Sequence, residues 1–579
     1  MEEPLERSEP VHDVRFVYDV KAPMRDGVRL STDLYLPAGG GAHPVILLRT
    51  PYESTRDMHI DWAVWWARRG YAAVIQDCRG KYESEGSFYA YTDEGRDGHD
   101  TLEWIAAQPW CNGKIGMSGR SYGGIVQWQA AVQGSPHLTA IAPQVIMGDY
   151  FGEYHRIGGA VQWALTALAA VTFETAVALT QRGCAQIFGN QRFYRHLPLI
   201  TADEALIGRP IPYFRDWLEH SLDDGYWRAL NTHERVGQVT VPVCQQAAWY
   251  DPYTDAMFRL WNGVREGGGS ELARRNQKIY VIPWTHHIPE GSRLGDVEFG
   301  PGAFVDLNAE DLRWFDYWLK GIDNGIMAEP PIKIFVMGRN AWRYEQEWPL
   351  ARTVYTPFYL HSGGKANTLY GDGTLSPEPP GAEPPDRFSY DPDDPVPTVG
   401  GNHSLWTLIK FAAEPVYPGP IDQRPIERRD DVLCYTSAPL EQELEVTGPL
   451  EVVLYAASSA RDTDFTAKLV DVHPSGHAIH LAEGIIRARH RGGLGRAELL
   501  EPGEVAEYRI RLAATSNLFR RGHRIRLEIS SSNFPRFDHN LNTGEPIATG
   551  TARQIAHQTV LHSGAYPSHI LLPVIPPEG

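Results

Sequence analysis

The sequence predicts an α/β layered domain, interrupted by a helical insertion and followed by an all-β domain. Three observations lead there. As far as residue 339, strand-like apolar runs alternate with helix-period runs; between 150 and 235 the strands drop out; from 340 onward short alternating strands dominate. The resulting boundaries are 1–149 and 236–339 for the two parts of the α/β domain, 150–235 for the insertion, a helical cap, and 340–579 for the β domain. At 579 residues the chain is too long for one hydrophobic core, so several domains are expected from length alone.

The α/β rhythm opens with the strand-like VRLSTDLYLP and PVILLRTPY, then alternates the helical IDWAVWWARRG, the strand YAAVIQD and the helical HDTLEWIAAQ before reaching GKIGM and GGIVQWQAAVQ. The cap carries the helix-period run GAVQWALTALAAVTFETAVALTQR. Strand and helix then resume with VPVCQQAAWYD and QKIYVIPWTHH and close on the amphipathic NAEDLRWFDYWLKG. In the β domain TPFYLHS, LEVTGPLEVVLYAASS, DFTAKLVDVHP, AEYRIRLAATSNLF, HRIRLEISSS and HILLPVI are separated by turn residues, the pattern of a β-sandwich or jelly roll. The proline-rich SPEPPGAEPPDRFSYDPDDPVPTVGG has strand-like segments on both sides and reads as a long ordered loop within that domain.

Composition is that of an ordinary globular protein, 42% hydrophobic and 22% charged. Fifty-four Lys and Arg against 72 Asp and Glu leave a net charge of −18, which repels phosphate backbones and anionic lipid, so neither nucleic acid nor a membrane is expected as partner. The opening MEEPLERSEPVHDVRF has acids where a signal peptide is basic, and no apolar run reaches membrane-spanning length; a cytoplasmic protein is expected. Five scattered cysteines without a CxxC pair read as small buried hydrophobes. No His/Asp/Glu set has metal-ligand spacing, so no metal and no cofactor are expected.

Gly119-Arg120-Ser121-Tyr122-Gly123 is G-x-S-x-G. The five-residue pattern alone is weak; its place between a strand-like and a helix-like run makes it a nucleophile elbow. A turn that sharp needs glycine two positions either side of the serine, and the helix that follows points its first amides at any anion formed there. A serine hydroxyl needs a base to take its proton and an acid to hold that base in the right tautomer. Both should follow late strands of the resumed α/β rhythm. Asp251 ends VCQQAAWYD, with Asp255 as its nearest competitor; His286 and His287 end IYVIPWTHH, and adjacent extended residues point opposite ways, so only one of them can face Ser121.

Together MRDGVRLSTDLYLP, LLRTPYES, VIQDCRGKYESEGSF, DGHDTLEWIAAQPWCNGKIGMSGRSYGG, WYD, PWTHH and SSSNFPRFDHNLNTG resemble the CocE/NonD hydrolases, which include cocaine esterase, X-Pro dipeptidyl-peptidase (S15) and α-amino acid ester hydrolase types. The likeness runs in order over nearly the whole chain, with the cap as the exception. It implies an α/β-hydrolase domain, a helical cap and a C-terminal jelly roll. It also implies His286 as the base, the Tyr52 phenol and the Tyr122 backbone N–H as oxyanion donors, a cap aromatic such as Trp163 at the substrate site, and self-association as a homodimer.

The combined expectation is a serine hydrolase cleaving small-molecule esters, or amides, of small acyl groups through an acyl-enzyme, with Ser121, His286 and Asp251 as triad. The alternatives are an X-Pro dipeptidyl-peptidase-like or β-lactam/aminoacyl acyl-transfer enzyme, and a non-catalytic scaffold. The α-amino acid ester hydrolases carry acids two and three positions beyond the triad acid, where this chain has Tyr253 and Thr254; Asp255 and Glu153 are the acids that could stand in for them.

Overall fold

Alternation along the early strands decides the first layers. The computed structural model describes residues 6–175, 193–287, 291–404 and 416–577. A ten-stranded sheet is built from β1 (Val14–Pro23), β2 (Arg29–Pro37), β3 (His43–Thr50), β4 (Ala72–Asp77), β5 (Cys111–Arg120), β6 (Leu138–Gln144), β7 (Val243–Tyr250), β8 (Gln277–Thr285), β9 (Ile332–Val336) and β10 (Ala341–Glu345). Its order is β1-β2-β4-β3-β5-β6-β7-β8-β9-β10, parallel from β4 through β9 and antiparallel at both edges. In β3, Val45 and Leu47 face a core shared with α2 (Glu94–Ala106) and α3 (Tyr122–Ala131). Ile46 and Leu48 face the opposite core, under α1 (Asp57–Ala67) and α6 (Leu307–Phe315). Sheet and helices are thus the two-sided parallel arrangement that the strand-helix alternation predicts. Trp66 of α1 is fully buried, edge-on to Trp65, Tyr71 and Phe315 at 5.0, 5.1 and 5.6 Å, so this aromatic cluster packs the core face remote from α3.

Between β6 and β7 the described residues include α4 (Trp163–Glu174) and α5 (Pro212–Glu219), together with a two-residue hairpin, Arg156–Ile157 with Ala160–Val161, that helical periodicity did not suggest. Residues 176–182 of the apolar run expected there, and Cys184, lie outside the described residues. The switch between sheets also differs from the expected boundary at 340: Ala341–Glu345 pairs with Ile332–Val336 and finishes the first sheet.

The C-terminal region is all-β, as expected, but its hydrogen bonds close a ring rather than marking out a jelly roll. The nine strands of the ring come from β11 (Val354–His361), β12 (Thr374–Ser376), β14 (Leu433–Thr436), β15 (Leu444–Ser458), β16 (Asp464–Val472), β17 (Ala478–Arg487), β18 (Ala506–Phe519), β19 (Arg524–Ser530) and β21 (His569–Ile575). Around the ring the order is β15-β18-β17-β16-β19-β14-β12-β11-β21, and β21 returns to β15 through Val452↔Ile570. β13 (Asp386–Tyr390) and β20 (Ala556–Leu561) attach as a branch at β15, which keeps the proline-rich stretch inside this domain. Closure removes the free edges that an open antiparallel sheet would expose. Among the described residues no helix is long and apolar enough to cross a membrane, and Cys78, Cys111, Cys244 and Cys434 are free thiols.

One buried charge cluster in this domain makes its stability depend on pH. The fully buried His562 side chain bonds Asp386 Oδ2 through Nε2 at 2.9 Å and Glu383 Oε2 through Nδ1 at 3.2 Å. Burial alone would lower the pKa of this histidine, but the Asp386 and Glu383 carboxylates outweigh it and hold the pKa above the ordinary value. A raised folded-state pKa stabilises below the unfolded value, near ~6.5, and the benefit is lost as pH rises through the folded value. His562→Gln should therefore cost about 3–5 kcal/mol at pH 6 and less at pH 9. A Tm gap to wild type that is constant or larger at pH 9 would contradict this.

Candidate active site

The strand-to-helix corner at the end of β5 forces Ser121 into a left-handed backbone, φ 55° and ψ −123°. A Cβ at Gly119 would lie 2.7 Å from Leu48 Cδ1 and 3.0 Å from the Gly123 carbonyl, and one at Gly123 would lie 3.0 Å from the same Leu48 atom. Glycine is therefore favoured by packing at both positions, and at Gly119, with φ 157°, by conformation as well. The Ser121 N–H donates to the Gln144 carbonyl at 2.9 Å, while its own carbonyl accepts from Gly124 and Ile125, so the serine sits where β5 ends and α3 begins.

Asp251 lies one residue beyond β7 and His286 one beyond β8, and the two strands are parallel neighbours. His286 Nδ1 is 2.6 Å from Asp251 Oδ2, and Asp251 Oδ1 accepts from the Tyr253 N–H at 2.8 Å. The aspartate is 1% exposed. The structure thus brings His286, not His287, to the aspartate. The imidazole of His287 stands edge-on to His286 at 5.7 Å, and burial, with His286 and Arg120 nearby, drops its pKa well below the ordinary histidine value. Asp255 is committed elsewhere: its Oδ2 accepts from the Ala514 N–H at 2.9 Å.

Tyr52 follows β3, and its N–H is held by Thr50 Oγ1 at 3.0 Å. Next along the loop Ser54 is pinned by Asp77 through its N–H at 2.8 Å, and by Asp33 through its hydroxyl at 2.7 Å. Burial raises the pKa of the Tyr52 phenol against the opposing influence of the nearby Ser121 side chain, and the group stays a protonated donor at neutral pH. The ring stacks on Phe173 of α4 at 6.0 Å. The phenol of Tyr122 points the other way, donating to Glu94 Oε1 at 2.9 Å and accepting from the Tyr91 N–H, which leaves only its backbone N–H at the corner.

Trp163, the cap aromatic singled out by the resemblance, is 0% exposed; its indole N–H donates to the Tyr194 carbonyl at 2.9 Å and its ring stacks on Phe193 at 5.9 Å. Other aromatic rings lie against Tyr52 and His286: Phe173 stacks on Tyr52, and Tyr253 is edge-on to His286 at 5.7 Å with Tyr154 beyond it at 6.1 Å.

Sequence reasoning missed the support beneath the histidine. Arg120, a variable position of G-x-S-x-G, donates from Nε to the His286 carbonyl at 2.7 Å, from Nη2 to the His287 carbonyl at 3.1 Å and from Nη1 to Gln144 Oε1 at 3.1 Å. Gln144 donates in turn to the buried Asp311, which also accepts from Ser118 Oγ at 2.8 Å and Gln246 Nε2 at 2.5 Å. Burial pushes the Asp311 carboxyl up to about 7 and the Arg120 guanidinium down to about 10, so Arg120 is charged at neutral pH. No spacing rule marks Arg120, because two of its three partners are backbone carbonyls in the segment beyond β8.

Two family descriptions match this chain: X-Pro dipeptidyl-peptidase (S15 family) over residues 26–287, and X-Pro dipeptidyl-peptidase C-terminal non-catalytic domain over residues 324–571. The cocaine esterase of Rhodococcus sp. (strain MB1 Bresler) is 40% identical over 580 residues, which cover 96% of this chain and 98% of the relative. The chain belongs to the CocE/NonD hydrolases. An α-amino acid ester hydrolase superposes with a TM-score of 0.80 at 25% identity, covering 99% of this chain and 98% of that one. An aminopeptidase from a marine sediment Thaumarchaeota archaeon gives 0.84 at 25% identity, covering 100% and 98%. As a CocE/NonD hydrolase the protein is a serine hydrolase acting on esters.

The Arg120 fork fixes the backbone of His286, so its loss should loosen the imidazole without touching the substrate. With His286 as the base proposed below, Arg120→Met should lower kcat for ester hydrolysis by about 10–100-fold with KM little changed, since small misplacements of a reacting group are costly. A fall in kcat below threefold would show that the two carbonyls hold their position without it.

Proposed function

We propose that this CocE/NonD hydrolase cleaves carboxylic esters of small acyl groups through an acyl-enzyme on Ser121, with His286 as general base and acid, Asp251 as its orienting partner, and the Tyr52 phenol and Tyr122 N–H as oxyanion donors. The observation that carries this reading is the 2.6 Å contact between His286 Nδ1 and Asp251, reached from the ends of two neighbouring strands. With Nδ1–H donated to Asp251, the lone pair of Nε2 is free to accept the serine proton. Attack then forms the tetrahedral anion, which the first amide of α3 and the neutral phenol stabilise; the protonated His286 gives its proton to the leaving alkoxide, and water repeats the cycle to release the acid. Small molecules fit a chain of net charge −18 better than nucleic acid does.

A second reading, selection of an α-amino acyl group, requires carboxylates to pair with the substrate's ammonium, because an unpaired buried cation is costly. The acids that could replace those missing at Tyr253 and Thr254 are already engaged. Glu153 accepts from Arg259 at 2.6 Å, lies 3.0 Å from His233 and accepts the Gly148 and Asp149 N–H groups. Asp255 holds Ala514. Thr254 donates to the Ala248 carbonyl. These commitments favour plain acyl esters.

Ser121→Ala should abolish ester turnover and fluorophosphonate labelling in folded protein, and His286→Ala should be nearly as damaging because the two act as one unit. His287→Ala should stay within about tenfold of wild type, and Tyr52→Phe should lower kcat by about 10²–10³ with little change in KM. A larger effect at His287 than at His286 would reassign the base, and full labelling of Ser121→Ala would point to another nucleophile.

Comparing aryl esters with and without an α-amino group on the acyl part tests the preference. The amino group should leave kcat/KM unchanged or lower it; a tenfold gain, about 1.4 kcal/mol, would favour the aminoacyl reading.

A further inference from the structure

The C-terminal ring brings together three metal-ligating side chains that their positions in the sequence did not suggest as a set. Asp471 is the penultimate residue of β16, His473 follows that strand directly, and His523 immediately precedes β19, which pairs with β16 through Asp471↔Ile525 and Val472↔Arg524. One ligand atom from each lies within 4.8 Å of the others. His523 Nδ1 is 2.8 Å from Asp471 Oδ1, and His473 Nε2 is 3.9 Å from Asp471 Oδ2. The two imidazole centroids are 4.4 Å apart at 35°.

Hydrogen bonding explains only half of this arrangement. The His523–Asp471 contact is an ordinary hydrogen bond, whereas 3.9 Å is too long for one, so the second imidazole is drawn to the carboxylate without bonding it. A tetrahedral cation at about 2.0–2.2 Å from each donor sets the donors roughly 3.2–3.6 Å apart, and the two distances fall on either side of that span. Two imidazoles and one carboxylate are a donor set for zinc-like ions, while calcium and magnesium prefer all-oxygen sets. The Asp471 side chain is 7% exposed and that of His523 14%, whereas His473 is 35% exposed, which leaves an open side for solvent to complete the coordination.

We propose that Asp471, His473 and His523 form a divalent transition-metal site, with Zn²⁺ as the ion, that ties the end of β16 to the start of β19. None of the three residues belongs to the proposed triad or oxyanion donors, and the site does not depend on the reading of the ester chemistry.

Tag-free full-length protein, stripped with chelator, is titrated with Zn²⁺ by calorimetry and with Co²⁺ by visible absorbance, alongside His473→Ala and His473→Gln. Ester hydrolysis serves as the check on folding, since His473 takes no part in it. The expected result is one Zn²⁺ bound per chain in wild type, a Co²⁺ spectrum of low coordination number, and at least tenfold weaker binding in whichever His473 variant retains activity. Absence of Zn²⁺ binding by wild type at up to about a millimolar would overturn the site, as would equal affinity in wild type and variants.

Discussion

The left-handed backbone at Ser121 is the constraint around which the rest of the active region is arranged. A residue with a side chain in that conformation carries about 1–3 kcal/mol of strain and persists only where its surroundings over-determine it. Here the ladder bond to Gln144, the Leu48 side chain filling the space that a Cβ at Gly119 or Gly123 would need, and the fully buried helix α3 supply that determination. A serine held so firmly cannot adjust to its partners. The partners proposed for it must come to it: Asp251 and His286 sit directly beyond the ends of β7 and β8, and Tyr52 is on a loop fastened at Ser54.

The same corner supplies its own brace. Ser121 and Arg120 are adjacent and leave the chain in opposite directions, one toward the proposed substrate side and the other beneath His286. The guanidinium lies near the charges of both Asp251 and Asp311, which offset the cost of burying it. Asp311 belongs to α6, on the face of the sheet remote from α3, so the histidine loop is connected through Arg120 and Gln144 to the opposite layer of the domain.

The groups most legible in the sequence were those whose positions follow from topology. Ser121 was marked by its glycines, Asp251 and His286 by their places after strand-like runs, and the choice between His286 and His287 required the family resemblance. Trp163 was not decided by its sequence context, because an aromatic residue in an apolar helical run looks the same whether it only packs against Phe193 or also lines a cavity. Arg120 was invisible because it binds carbonyls, which every residue has. The closed ring was equally hidden, since alternating patterns reveal that Val354–His361 and His569–Ile575 are strands but not that they are neighbours. Ala341–Glu345 was assigned past the boundary because an antiparallel edge strand on a parallel sheet has the same alternation as the strands that follow it.

Ring closure has a consequence for how the protein is made. β21 joins β11 on one side and β15 on the other, so the ring stays open until residues 569–575 are available. The ten-stranded sheet, by contrast, has all its strands once Glu345 has been synthesised. During translation the first sheet can assemble at the ribosome while β11, which can pair early with β12, waits more than two hundred residues for its second partner, β21. Over that interval its free edge is a template for pairing with other nascent chains, and the cell must guard it with chaperones or with speed.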